Sequence, residues 1–149
     1  MKPVEVLEKY WGHKQFRPLQ EEIVNEILSG KDTLAILPTG GGKSICFQVP
    51  GLILGGVTVV ISPLISLMND QVENLKQRNI SALALHSGLS KQECSIEYQN
   101  LRNGKYRFVY VSPERLKTEH FLDTIQVTDV RLLAVDEAHC MSQWGHDFR

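Results

Sequence analysis

The chain has 149 residues, 42% hydrophobic and 22% charged, with 16 Lys+Arg against 17 Asp+Glu and a formal net charge of −1. That length can bury a sizeable core, and the ordinary charged content argues against wholesale disorder. No apolar run approaches the ~20 residues of a membrane helix, and MKPVEVLEKYWGHK lacks the apolar core and cleavage site of a secretory leader. The balanced charge gives no global attraction to nucleic acid, so binding of that kind would need a local patch. The three cysteines (46, 94 and 140) are odd in number and lack metal-ligand spacing. They read as reduced thiols of an intracellular protein.

In chain order, helices alternate with strands, without repeats or low-complexity stretches. Residues 18–28 predict an amphipathic helix: Pro18 suits its first turn, Ile23/Ile27 and Val24/Leu28 repeat at i,i+4, and Gly30 stops it. Thr33 to Leu37 is a short apolar run, expected as a buried strand before a glycine-rich turn. Lys43 to Leu54 reads as helix, with Pro50 expected to kink or divide it. Val57 to Ile61 is β-branched and stops at Ser62-Pro63, a strand. Leu64, Leu67, Met68, Val72 and Leu75 mark one face of a helix reaching about Arg78. Leu64, Leu67 and Met68 are expected to face the core, with Ser62, Ser66 and Asn69 turned away from it. Ala82–Leu85 predicts a strand. Ser90 and Glu93 form a capping box that opens a helix to about Arg102, with Gly104 after it. Phe108–Val111 and Leu132–Val135 complete the strands. This alternation predicts an α/β fold with a parallel sheet and helices on both faces, read as one domain over residues 1–149.

The densest chemistry lies at Pro38-Thr39-Gly40-Gly41-Gly42-Lys43-Ser44, between an expected strand and helix. Glycines let the backbone turn sharply and bring N–H groups to phosphate oxygens, and the helix N-terminus adds partial positive charge. Lys43 suits β/γ-phosphates and the Ser44 hydroxyl suits Mg²⁺. Taken alone, Gly-Lys-Ser can turn up by chance as a flexible glycine turn; the strand-loop-helix context and the acidic motif below argue against that. The second motif is Asp136-Glu137-Ala138-His139, at the end of an apolar strand, where a parallel sheet displays its chemistry. Asp136 suits Mg²⁺, Glu137 suits polarisation of an attacking water, and His139 suits coupling of the site to other parts of the molecule. Both motifs end expected strands and could share one Mg²⁺. Upstream, Phe16-Arg17-Pro18-Leu19-Gln20 offers a Gln amide for adenine, with Arg17 and His13 as flanking planes for its π-face.

These segments resemble, in order, the RecQ family of DNA helicases. The resemblance rests on Phe16–Gln20, Leu37–Ser44, Val60–Gln71, Val111–Leu116, Asp136–His139 and the run Cys140–Arg149, and covers about His13 to Arg149. Leu37 stands where the general phosphate-loop pattern has Gly, and Pro-Thr-Gly-x-Gly-Lys-Ser is instead similar to the form in superfamily 2 helicases. The resemblance implies a RecA-like P-loop NTPase domain of a 3′-to-5′ DNA helicase using ATP and Mg²⁺. Carried over by position, His13, Arg17, Gln20, Thr39, Gly40, Gly41, Gly42, Lys43 and Ser44 bind nucleotide. Lys43, Asp136, Glu137 and His139 are catalytic, and Ser44 and Asp136 hold Mg²⁺. His13 occupies a position often held by an aromatic stacking residue.

The segment Ser62–Gln71 resembles the one that meets the backbone of single-stranded DNA, and Arg115 is the expected further DNA contact. Trp144, His146, Asp147, Phe148 and Arg149 resemble an aromatic-rich loop that senses single-stranded or fork-like DNA. Such aromatics stack on any base, worth roughly 1–3 kcal/mol each.

The resemblance also implies a second RecA-like domain with arginine fingers, and a zinc module and winged helix, none of which lies within residues 1–149. In the related topology a further strand inserts between the phosphate-loop and acidic-box strands. The expectation is therefore an incomplete first domain, ending after the acidic-box strand, which on its own is marginal or self-associates and has little or no unwinding activity. Two other readings are carried: a non-catalytic module binding single-stranded DNA or a partner protein, and an RNA helicase domain. The latter leaves the Gln143–Arg149 run unexplained.

Overall fold

The computed structural model describes residues 2–30, 42–86 and 88–136. The expected strand at 33–37, most of the phosphate loop, and Glu137 to Arg149 lie outside these residues. The chain divides into two compact units, Met1–Gly55 and Gly56–Arg149.

The first unit contains three described helices: α1 (Pro3–Trp11), α2 (Gln20–Leu28) and α3 (Ile45–Leu54). α1 is not among the expected elements, although Val6, Leu7 and Tyr10 lie at helical spacing. Pro3 occupies its first turn, and Gly12 ends it in a left-handed conformation, its N–H donating to the Glu8 carbonyl at 3.0 Å. Val6 and Leu7 pack with Val24 of α2 and Val49 of α3. α2 starts two residues later than expected because Leu19 has φ +73°. A left-handed leucine costs roughly 1–2 kcal/mol. It is held between two bonds: the Gln20 N–H donates to the Arg17 carbonyl at 3.1 Å and the Arg17 N–H donates to Gln20 Oε1 at 2.8 Å. α3 starts at Ile45 rather than Lys43 and runs through Pro50 without division. A mid-helix proline costs about 3 kcal/mol, and burial of Cys46, Val49 and Pro50 itself offsets that cost.

Among the described residues the second unit is built on a four-stranded, wholly parallel sheet of β1 (Val57–Ile61), β2 (Ala82–Leu85), β3 (Phe108–Val111) and β4 (Val130–Val135), in the order β2-β3-β1-β4. The helices are α4 (Ile65–Gln77), α5 (Lys91–Arg102), α6 (Pro113–Leu116) and α7 (Glu119–Gln126). The pleat sends alternate residues to opposite faces. On one face Val57, Val59, Ile61, Leu83, Leu85, Val109 and Val111 form a core with Tyr98 and Leu101 of α5 and Phe121 of α7. Each such large apolar side chain contributes roughly 1.5–3 kcal/mol. α4 packs against β2 and β3 on the other face, burying Met68, Val72 and Leu75.

The expected helix face is correct at those three residues and not at its start. Leu64 and Leu67 are exposed, whereas Ser62 is buried. Leu64 precedes the first helical turn, with extended φ/ψ, so helical periodicity does not govern it. Ser62 directly follows the fully buried β1, and its N–H donates to the Val111 carbonyl at 3.0 Å. On β4, Leu133 and Val135 lie in register with Val59 and Ile61 yet are exposed.

Candidate active site

In the first unit, Arg17, Gln20 and Gly42 come together. Gln20 is buried, and its Nε2 donates to the Gly42 carbonyl at 2.9 Å while its Oε1 accepts from Arg17. The amide expected at adenine is thus hydrogen-bonded to the backbone of Arg17 and of Gly42. Gly42 has φ +73°, and a Cβ there would stand 2.7 Å from Gln20 Nε2 and 3.7 Å from Arg17 Nη1. The Gly42 carbonyl also accepts from the Ile45 N–H at 3.3 Å, at the start of α3. Ser44 is the N-cap of α3 but makes no side-chain cap bond. Lys43 is half-buried and His13 is exposed. Cys46, one turn into α3, is buried, and desolvation pushes its thiol up to about 11.

In the second unit, Asp136 directly follows β4. Its N–H donates to the Ile61 carbonyl at 2.8 Å, which fixes it beside the end of β1. The side chain is buried, and Oδ2 accepts from Gln71 Nε2 of α4 at 3.1 Å. Gln71 Oε1 in turn accepts from the Tyr110 hydroxyl of β3 at 2.6 Å.

The donor chemistry fits Mg²⁺, a hard cation that takes one or two carboxylate or hydroxyl oxygens and fills its shell with phosphate and water. In the second unit the buried Asp136 carboxylate is an oxygen donor of that kind. Among the described residues no cluster of three or more His, Cys, Asp or Glu offers a self-contained metal cage.

Of the expected nucleic-acid contacts, Ser62 is buried, and its hydroxyl has no hydrogen-bond partner among the described residues; the same holds for Ser112, which follows β3. Ser66 and Asn69 are exposed on α4. Arg115 lies on α6, half-buried, with Nη2 donating to the His86 carbonyl at 2.7 Å, so it ties the end of β2 to α6. Thr39, Gly40, Gly41, Glu137, His139, Trp144, His146, Asp147, Phe148 and Arg149 lie outside the described residues. Tyr110 was not among the expected site residues, and Gln71 was expected only as the last residue of the segment Ser62–Gln71 at the DNA backbone, not beside Asp136. A signal existed: Gln71 sits in the stripe Met68, Gln71, Val72, Leu75, and a polar group on a buried stripe needs a partner.

A family model for the DEAD/DEAH box helicase matches residues 17–149. The chain is 46% identical over 97% of its length to the probable ATP-dependent DNA helicase RecS of Bacillus subtilis, covering 29% of that protein. It is 48% identical over 97% of its length to the RecQ helicase of the same organism, covering 24% of it, and 46% identical to the RecQ of Haemophilus influenzae, covering 23%. The chain therefore spans about a quarter of the length of these curated relatives. Among solved structures, a hypothetical ATP-dependent RNA helicase from Sulfolobus tokodaii superposes with TM-score 0.70 at 22% identity, over 98% of this chain and 44% of that one. The DUF1998 helicase MrfA, bound to DNA and AMPPNP, gives 0.75 at 17% identity, over 93% and 21%. At such identities these two establish the fold. With its parallel sheet, its acidic residue at a strand end and a family match over nearly all of its length, the chain belongs to the DEAD/DEAH box helicase family, and its sequence is similar to the RecQ and RecS helicases.

Proposed function

We propose that this chain is the ATP-binding part of a RecQ-like 3′-to-5′ DNA helicase that couples ATP hydrolysis to strand separation. The observation that carries the reading is 46–48% identity, over nearly the whole chain, to proteins named ATP-dependent DNA helicases. Lys43 and the backbone N–H groups of Thr39 to Gly42 take the phosphates, and Arg17, Gln20 and His13 take the base. Ser44 and Asp136 hold Mg²⁺, which supplies charge neutralisation at the phosphates. Glu137 accepts the proton of the attacking water, and His139 couples the site to the rest of the molecule. Trp144, His146, Phe148 and Arg149 meet single-stranded DNA, with the half-exposed Arg115 as a further contact; Ser62, buried behind the end of β1, is left out of that surface.

The test is phosphate release from ATP in the complete gene product, with and without single-stranded DNA. DNA should stimulate release, and Lys43→Ala should lower it by about 10²-fold or more, the scale for losing one preorganised charge. Release that survives Lys43→Ala overturns the reading. Salt-sensitive DNA binding without any release supports a non-catalytic binding module instead. Stimulation by RNA but not DNA supports an RNA helicase.

A further inference from the structure

We propose that Gln71 is a positioning residue for Asp136, and that Tyr110 fixes Gln71 in that role. The inference rests on the reading of Asp136 as a Mg²⁺ residue. Strand register brings the three groups to one face. Tyr110 is in register with Val60, and Val60 with Ala134. Asp136 follows Ala134 by two residues, so the pleat directs all of them to the same side. That is the side α4 covers, and Gln71 lies on the α4 stripe that includes the buried Met68, Val72 and Leu75.

The hydrogen-bond chemistry allows one polarity. An ionised carboxylate only accepts, so the amide nitrogen of Gln71 must face Asp136. Its oxygen then faces Tyr110, whose hydroxyl must donate. The two bonds, at 3.1 and 2.6 Å, follow that order. The Tyr110 ring is fully buried in β3, an interior strand, so the far end of the chain of bonds is anchored. Gln71 cannot rotate without breaking both bonds. Holding Oδ2 fixes the plane of the Asp136 carboxylate, and with it the direction its lone pairs face. Outer partners of this kind orient metal-binding side chains and raise metal affinity. Gln71 also lies on the same helix as the exposed Ser66 and Asn69.

The test measures Mn²⁺ affinity by electron paramagnetic resonance, in the presence of ADP, on the complete gene product. Gln71→Met keeps length and helix preference but removes both bonds. It should weaken Mn²⁺ binding about tenfold, the lower end of the ~10–100-fold loss typical of such partners. ADP affinity without metal should be unchanged. Tyr110→Phe keeps the buried ring and should weaken Mn²⁺ binding less, in the same direction. In the Gln71→Met background it should add nothing.

Thermal unfolding is followed alongside, and Tyr110→Phe carries the test where Gln71→Met lowers the melting temperature. Unchanged Mn²⁺ affinity in both variants, with Asp136→Asn still impaired, overturns the positioning role alone. Unchanged affinity in Asp136→Asn overturns the metal reading on which it rests. A parallel loss of metal-free ADP binding in Gln71→Met and Tyr110→Phe overturns positioning in favour of a structural role. A full Tyr110→Phe effect on top of Gln71→Met overturns the part assigned to Tyr110.

Discussion

Gly42, Gly56 and Gly104 all hold positive φ, at +73°, +59° and +78°, but meet different surroundings. A side chain in the left-handed region costs roughly 1–2 kcal/mol wherever it occurs. Nothing lies within 4 Å of a Cβ at Gly104, so Gly104→Ala should cost only that strain and shift the thermal midpoint by a few degrees. At Gly56 a Cβ would stand 2.6 Å from the Asp129 backbone carbonyl, which also accepts from the Val57 N–H at 2.8 Å. Backbone must move there, so Gly56→Ala should cost more than about 3 kcal/mol, in the range reserved for special backbone sites. At Gly42 the obstacle is Gln20 Nε2, the end of a side chain that can swing away. Gly42→Ala should therefore affect stability less than Gly56→Ala while breaking the Gln20–Gly42 bond and lowering ADP affinity. Thermal scans and ADP titrations of the three variants check the order. Equal stability losses in all three would show that the close contacts play no part.

The α5 capping box is an element read correctly from four residues. Ser90 Oγ accepts from the Glu93 N–H at 3.1 Å, and Glu93 Oε1 accepts from the Ser90 N–H at 3.1 Å. Ser90→Ala should cost about 1 kcal/mol, seen in urea denaturation at neutral pH. The bonds from Ser90 hold the Glu93 carboxyl below its ordinary 4.5. A lowered folded-state pKa means that this contribution is present above pH 4.5 and is lost as pH falls through the folded value. Glu93→Gln should flatten part of the stability loss between neutral and acid pH, and an unchanged pH profile would rule out a role for the charged form. Local signals of this strength made α5 and β1 to β3 legible: β1, β2 and β3 have their expected bounds, and β4 begins two residues early. α6 and α7 gave weaker signals. α6 has four residues and α7 eight, so each gives only a short run to read, although Phe121 and Ile125 of α7 repeat at i,i+4 and pack on the same core. The exposed Leu64 and buried Ser62 reversed expectation because strand-end packing, rather than residue polarity, decides burial there.

At the scale of the molecule, the site was legible where chemistry is local and hidden where it depends on register. Asp136 at the end of a strand follows from a four-residue motif. Tyr110 looked like one more apolar strand residue, and only the alignment of β3, β1 and β4 brings it to the α4 face beside Gln71. The same layout orders stability within the chain. β1 and β3 are interior strands, hydrogen-bonded on both sides and with every residue buried. Their amides can be released only when the sheet of the second unit opens. Among the described residues the first unit rests on helices whose fully buried apolar side chains in the shared core are Val6, Leu7, Val24 and Val49, and whose terminal turns can fray without disturbing the sheet of the second unit. Local opening free energies follow such differences in burial and bonding. Amide hydrogen exchange should therefore be slowest at Val59, Val60, Val109 and Tyr110, and at least tenfold faster along α1. Alanine at Val109 should accelerate exchange throughout β1 and β3 while leaving α1 nearly unchanged. Uniform protection across α1, α2 and the sheet, or acceleration of α1 to the same degree by Val109→Ala, would mean that the two units open as one cooperative body.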